Sequence, residues 1–139
     1  NLGSAASLPF DLAYTRSSAE ISNSNENFNS GDRLASVPEQ TLSLRAGLIL
    51  DSGWENYASI KYLDEMCVAV GCTGALPNYD ETESLISMDL VSHYQWSDAL
   101  QLFAKIENLA NEQVLIARTP DGARPNKGRT ASLGFELSF

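Results

Sequence analysis

From Arg129 to Phe139 the chain reads Arg-Thr-Ala-Ser-Leu-Gly-Phe-Glu-Leu-Ser-Phe, with an apolar side chain at every second position. Side chains of an extended strand alternate between faces, so Ala131, Leu133, Phe135, Leu137 and Phe139 share one face and Thr130, Ser132, Gly134, Glu136 and Ser138 the other. Such a strand has to lie between water and an apolar medium, either a protein core or lipid.

The same alternation recurs upstream. Leu8 to Arg16 carries Phe10, Leu12 and Tyr14 against Asp11, Ala13 and Thr15. From Thr41, Leu42, Leu44, Ala46 and Leu48 oppose Ser43, Arg45 and Gly47, and Asp51-Ser52-Gly53 then turns the chain into Trp54, Ala58, Ile60 and Tyr62 against Glu55, Tyr57, Ser59 and Lys61. A further pair runs through Ile86, Met88, Leu90, Tyr94 and Trp96, turns at Trp96-Ser97-Asp98, and returns through Leu100, Leu102, Ala104 and Ile106. The pattern predicts an all-β chain of about six antiparallel strands.

Composition narrows what those strands can do. Hydrophobic residues make up 43% of the 139, enough for a folded chain, yet no stretch approaches the roughly 18 consecutive apolar residues of a spanning helix. Residence in a membrane would therefore require a barrel, whose strands are individually only weakly apolar. Nine Lys and Arg against eighteen Asp and Glu, a net charge of −9, argue against nucleic acid as a partner. No nucleophile elbow, His-Glu-x-x-His or phosphate-cradling glycine loop occurs, so catalytic residues and cofactors are not expected. His93, the one histidine, lies on an alternating strand without the partners of a metal site or an acid–base pair.

Connections separate the possible β architectures. Those near 51–53 and 96–99 are short, those near 22–39, 64–83 and 109–128 are long, and the two kinds alternate along the chain. An immunoglobulin-like sandwich or a lipocalin-type barrel has short strands too, but neither requires long loops on one side only. An outer-membrane barrel does, with short periplasmic turns and long extracellular loops. Trp54, Tyr94, Trp96 and Phe139 all fall beside the short turns, where an interfacial aromatic girdle belongs. The smallest barrels close with about eight strands, so residues 1–139 are expected to be the carboxyl-terminal part of a longer polypeptide.

Cys67 and Cys72 flank a glycine-containing stretch in the long acidic connection Asp64 to Glu83, which has five acids and no base. A disulfide stapling the loop is the favoured reading, with free thiols or a metal as alternatives; a two-thiolate site would lack ligands. Glycines 31, 53, 71 and 122 read as turn residues.

The block Leu102-Phe103-Ala104-Lys105-Ile106-Glu107-Asn108-Leu109, then Asn111-Glu112-Gln113, Ala117-Arg118-Thr119-Pro120-Asp121-Gly122-Ala123-Arg124-Pro125 and Gly128-Arg129-Thr130, resembles the last hairpin of TonB-dependent outer-membrane receptors. Val37-Pro38-Glu39-Gln40 before Leu42 to Gly47, and Ile60-Lys61-Tyr62 before Met66, resemble earlier strands of the ferric-siderophore branch, particularly its ferric-citrate type. Val114 and Asn126 depart from that pattern, which has an aromatic near the first and often a glycine at the second. The resemblance implies a bacterial outer-membrane, 22-stranded-type barrel with an amino-terminal plug, importing a ferric siderophore or similar iron chelate under energy from the TonB complex. The plug and the TonB-contacting segment would lie upstream. The competing expectation is a barrel that transports nothing and serves as an adhesive or structural surface module.

An anionic chelate would be met by cations, and planar guanidinium groups pair bidentately with carboxylates. Arg118 and Arg124, with Lys127, are therefore the candidate ligand contacts, although each could equally brace its loop. Arg45, Glu55, Lys61, Asp89, Lys105 and Glu107 are expected to face the lumen in ion-pair ladders between strands.

Overall fold

The computed structural model describes residues 6–72, 80–118 and 122–139. Its strands are β1 (Ala6–Ser7), β2 (Phe10–Arg16), β3 (Gln40–Leu50), β4 (Trp54–Leu63), β5 (Leu85–Ser97), β6 (Leu100–Glu107), β7 (Leu115–Ala117), β8 (Arg124–Pro125) and β9 (Thr130–Leu137). β1 and β2 share one lane along β3, and β3, β4, β5, β6 and β9 follow as successive antiparallel neighbours, giving six lanes. β7 and β8 form a small hairpin of their own. The described residues hold no α-helix, only a three-residue 3-10 turn at Val70–Cys72.

Two boundaries differ from expectation. The strand expected from Leu8 to Arg16 breaks between β1 and β2 because Pro9 has no N–H to place in the ladder, although its carbonyl still accepts the Gly47 N–H at 2.8 Å. The turn expected at Trp96-Ser97-Asp98 comes later, since β5 runs through Ser97 with its register slipping between Gln95 and Ser97 before Asp98-Ala99 reverses the chain. The other short turn forms as read, with the Gly53 N–H donating to the Leu50 carbonyl at 3.0 Å and Gly53 at φ 87°. Gly31, Gly71 and Gly122 likewise adopt positive φ.

Register decides what each face carries. Tyr14, Leu42, Tyr62 and Ile86 lie side by side, as do Leu12, Leu44, Ile60 and Met88, then Phe10, Ala46, Ala58, Leu90, Ile106 and Ala131. Nearer the short turns come Leu48, Asn56, Ser92, Ala104 and Leu133, then Trp54, Tyr94, Leu102 and Phe135. The only polar side chains in these five rows besides tyrosine are Asn56 and Ser92, which satisfy each other through a hydrogen bond from Ser92 Oγ to Asn56 Oδ1 at 2.8 Å. The opposite face has Asp11, Arg45, Ser59 and Asp89 in one row, Ser43, Lys61 and Ser87 in the next, and Glu55, His93 and Phe103 towards the short turns.

Among the described residues no second layer covers either face. Cys67 is the only buried apolar side chain among the described residues, whereas Phe10, Leu12, Leu48, Trp54, Leu90, Leu133 and Phe135 are exposed. A water-soluble domain packs at least two layers around a core, so a single two-faced sheet of this breadth needs an apolar medium on one side. Aromatics border the apolar face at both ends: Trp54 against Tyr94 at 4.5 Å with Trp96 edge-on at 6.1 Å near the short turns, and Tyr14 and Tyr62 near the long loops. The span from Trp54 to Tyr62 is about 27 Å along the strand at ~3.4 Å per residue. Tilted by ~40°, that projects to about 21 Å, most of the ~25 Å apolar band of an outer-membrane barrel.

Candidate functional site

The long connections, at 17–39, 64–84 and 108–129, all leave the same end of the sheet and are tied to one another. In the second loop a short ladder joins Met66–Val68 to Asp80–Thr82: Val68 N–H to Asp80 O at 2.7 Å, Thr82 N–H to Met66 O at 2.9 Å, and Met66 N–H to Thr82 Oγ1 at 3.0 Å. Cys67 and Cys72 are bonded as the expected disulfide, with Cys67 at 1% exposure beside Thr82. Residues 73–79 of this acidic loop, and Thr119 to Asp121 in the third, lie outside the described residues.

The first loop docks on this ladder. Ser36 N–H donates to Cys67 O at 2.9 Å, and Gly71 N–H to Arg33 O at 2.8 Å. The Arg33 guanidinium pairs with Glu39 at 3.0 Å and Glu81 at 3.2 Å. A side chain at Gly71, besides straining φ 72°, would meet the Asp32 carboxylate at 3.0 Å.

The third loop docks on the other side. Leu115 N–H donates to Glu83 Oε2 at 2.6 Å and Glu83 N–H to Leu115 O at 2.8 Å, while Arg118 Nε donates to the Glu81 carbonyl at 2.8 Å. Its root is organised by Asn108, 4% exposed and in the left-handed region that asparagine tolerates. Asn108 Nδ2 donates to Glu112 O at 2.8 Å and Lys127 O at 2.9 Å, its Oδ1 accepts Glu112 N–H at 3.1 Å, and its own N–H reaches Asp89 at 2.9 Å. Asn126, where the family pattern often has glycine, instead uses its side chain, accepting Val114 N–H at 2.8 Å and donating to Glu112 O at 2.9 Å.

The candidate ligand residues are thus dispersed through the third loop. Arg118 braces it against the second loop, Arg124 lies exposed on β8, and Lys127 sits near the sheet, 3.5 Å from Glu107. Asn108, Arg33 and Glu81, which hold the loops together, were not legible as organisers because their partners are 4 to 48 residues away. Asparagine at a strand end was the one available signal, since it is the commonest non-glycine residue in left-handed turns.

The polar face differs from the expected ladder. Lys105 pairs with Glu107 of its own strand at 3.0 Å, and Arg45 lies over the Tyr57 ring at 4.2 Å. Asp11 stands opposite Arg45, but most other charges have neutral register partners: Lys61 faces Ser43 and Ser87, and Lys105 faces Val91 and Ser132. Arg45, Glu55, Tyr57, His93 and Gln101 line a hollow of about 460 Å³ on this face.

A one-layered antiparallel sheet with an apolar, aromatic-bordered face, a polar face and loops at one end is the wall of a transmembrane β-barrel. No family model matches the chain, and no curated protein matches its sequence. Among solved structures, the ferric-catecholate import receptor Fiu of E. coli K12, in its closed form, is similar to it with a TM-score of 0.80 at 20% identity. The match covers 95% of this chain and 19% of that receptor's chain. The fold is that of a barrel segment of such a receptor, as the sequence resemblance implied; the receptor it matches is a transport protein and not an enzyme.

Proposed function

We propose that this chain is the carboxyl-terminal wall of a large, 22-stranded-type outer-membrane barrel that imports a ferric chelate, with its long loops facing outward and its cycle energised by the TonB complex through an upstream plug region. The observation that carries this reading is the likeness in fold of 95% of the chain to an import receptor, at a TM-score of 0.80. Outer-membrane lipid would cover the face of Leu12, Leu90 and Leu133, and the polar face would line the lumen. Arg118, Arg124 and Lys127 are the proposed chelate contacts, as cations of the third loop meeting an anionic ligand.

Iron uptake tests this directly. In a strain lacking the complete gene, uptake of radiolabelled iron offered as citrate or catecholate chelates should fall, and the restored gene should return it only when TonB is functional. Uptake indifferent to the gene for every chelate, with a loss of surface adhesion, would place the protein in the non-transporting class. Replacing Arg118 and Arg124 by alanine together should weaken chelate binding with barrel assembly intact; unchanged affinity would leave both as loop braces.

A further inference from the structure

The contacts described for the first and third loops meet at one residue of the second. Arg33 engages the Glu81 carboxylate at 3.2 Å, and Arg118 engages the Glu81 main-chain carbonyl at 2.8 Å. Glu81 sits in a stem that cannot easily yield. Its bridge to Cys67 is part of the short ladder, Cys67 is almost fully buried, and the disulfide fixes the strand opposite Glu81. The Arg33 side adds the Ser36–Cys67 and Gly71–Arg33 main-chain bonds, and the Arg118 side adds the reciprocal Glu83–Leu115 pair. A displacement of either outer loop is therefore delivered to the same short stretch of main chain, Glu81 to Glu83.

We infer that Glu81 is a keystone that makes the described parts of the three loops one mechanical body, so that they move together and not independently. A ligand that orders the third loop would then order the first without touching it, through the stapled stem. Energetic coupling of this kind requires an element whose arrangement both sides bias, and the stem is that element. The inference concerns the loops alone and holds whatever the barrel carries.

The substitution Glu81→Ala tests it because it separates the two sides. It removes the carboxylate that holds Arg33 and leaves the carbonyl that holds Arg118. Amide hydrogen exchange would be followed by mass spectrometry on the complete polypeptide in lipid vesicles. The expected result is faster exchange in the first loop around Ile21 and Arg33–Ser36, accompanied by a rise of at least ~5-fold in the third loop at Leu115–Ala117 and Asn126. Third-loop exchange at the wild-type rate, with the first loop alone loosened, would overturn the inference. Arg33→Ala leaves Glu81 and the stem intact and serves if Glu81→Ala fails to assemble: it too must raise third-loop exchange, and an unchanged third loop in that variant overturns the inference equally.

Discussion

Gly47 is the one buried position within the strands, and alanine there should be costly although it adds a single methyl group. A Cβ at this position would lie 2.7 Å from Pro9 Cγ and 2.8 and 2.9 Å from Tyr57 Cε1 and Cδ1. Carbon atoms rest at about 3.5 to 4.0 Å, so the methyl intrudes by about 1 Å on both sides at once. Pro9 cannot give way cheaply: its ring is fused to the main chain, and its carbonyl is the acceptor for Gly47 itself. Tyr57 can tilt, but it carries the Arg45 guanidinium at 4.2 Å, a contact of about 0.5 to 1 kcal/mol at an exposed site. Overpacking of a tight site typically costs about 1 to 3 kcal/mol, so Gly47→Ala should lose about 2 to 4 kcal/mol in all. The assay is urea unfolding of the complete barrel from lipid vesicles, followed by tryptophan fluorescence and by the gel mobility of the folded form. A cycle with Tyr57→Ala sharpens it, since in that background the same glycine substitution should cost less, the remainder coming from the Pro9 contact at 2.7 Å. Equal costs with and without the tyrosine ring, or none at all, would refute the steric reasoning.

Other consequences are open to measurement. Leu90→Arg, midway between the aromatic borders on the apolar face, should lower barrel stability by about 2 to 4 kcal/mol, whereas Gln101→Arg on the polar face should be nearly neutral; a reversed order in vesicle-refolding titrations would mean the faces are misassigned. Asn108→Ala removes the donors to the Glu112 and Lys127 carbonyls and the acceptor for the Glu112 N–H, leaving Glu112 O only its bond from Asn126, and puts alanine at φ 51°, so about 2 to 4 kcal/mol of local stability should go and protease should cut within 109–128 first. Asn108→Gly should recover only the backbone part, and full recovery would contradict the hydrogen-bond account. The native protein should show no alkylatable thiol without reductant, and replacing both cysteines by serine should destabilise the second loop by about 2 kcal/mol, the chain-entropy value for so short a ring, seen as faster exchange at Met66–Val68.

The strands were readable because a two-faced wall writes its period directly into the sequence. Leu42, Leu44, Ala46 and Leu48 alternate without a gap, and each finds a like-faced partner on β4. Loop asymmetry was readable for a similar reason: Asp51-Ser52-Gly53 is turn chemistry, whereas 22–39 and 109–128 are too long and polar to be turns. What escaped were features that depend on partners remote in sequence. Phe103 reads as a polar-face intruder until its cross-strand neighbour is known to be Gly134, over which the ring lies so closely that a Cβ there would sit 2.5 Å from it. The bond from Arg118 to the Glu81 carbonyl, 37 residues away, could not be read from the sequence and is supplied only by the fold.

Burial shows why the loops need such devices. The buried side chains among the described residues are Cys67, Thr82 and Asn108, and all three stand in loops. The wall itself can do without a core, since its main-chain bonds are satisfied strand to strand and its apolar face requires only lipid. Loops projecting into water have neither support. Ordering each loop residue costs about 1 to 2 kcal/mol of backbone entropy, and here little apolar burial offsets it. The order has to come from a disulfide, from asparagine side chains closing main-chain rings, and from arginines tied to a stapled stem. A loop system built this way is stiff at its roots and adjustable only as a unit, which is why substitutions in the strands should sort by face and those in the loops by whether they reach Cys67, Glu81 or Asn108.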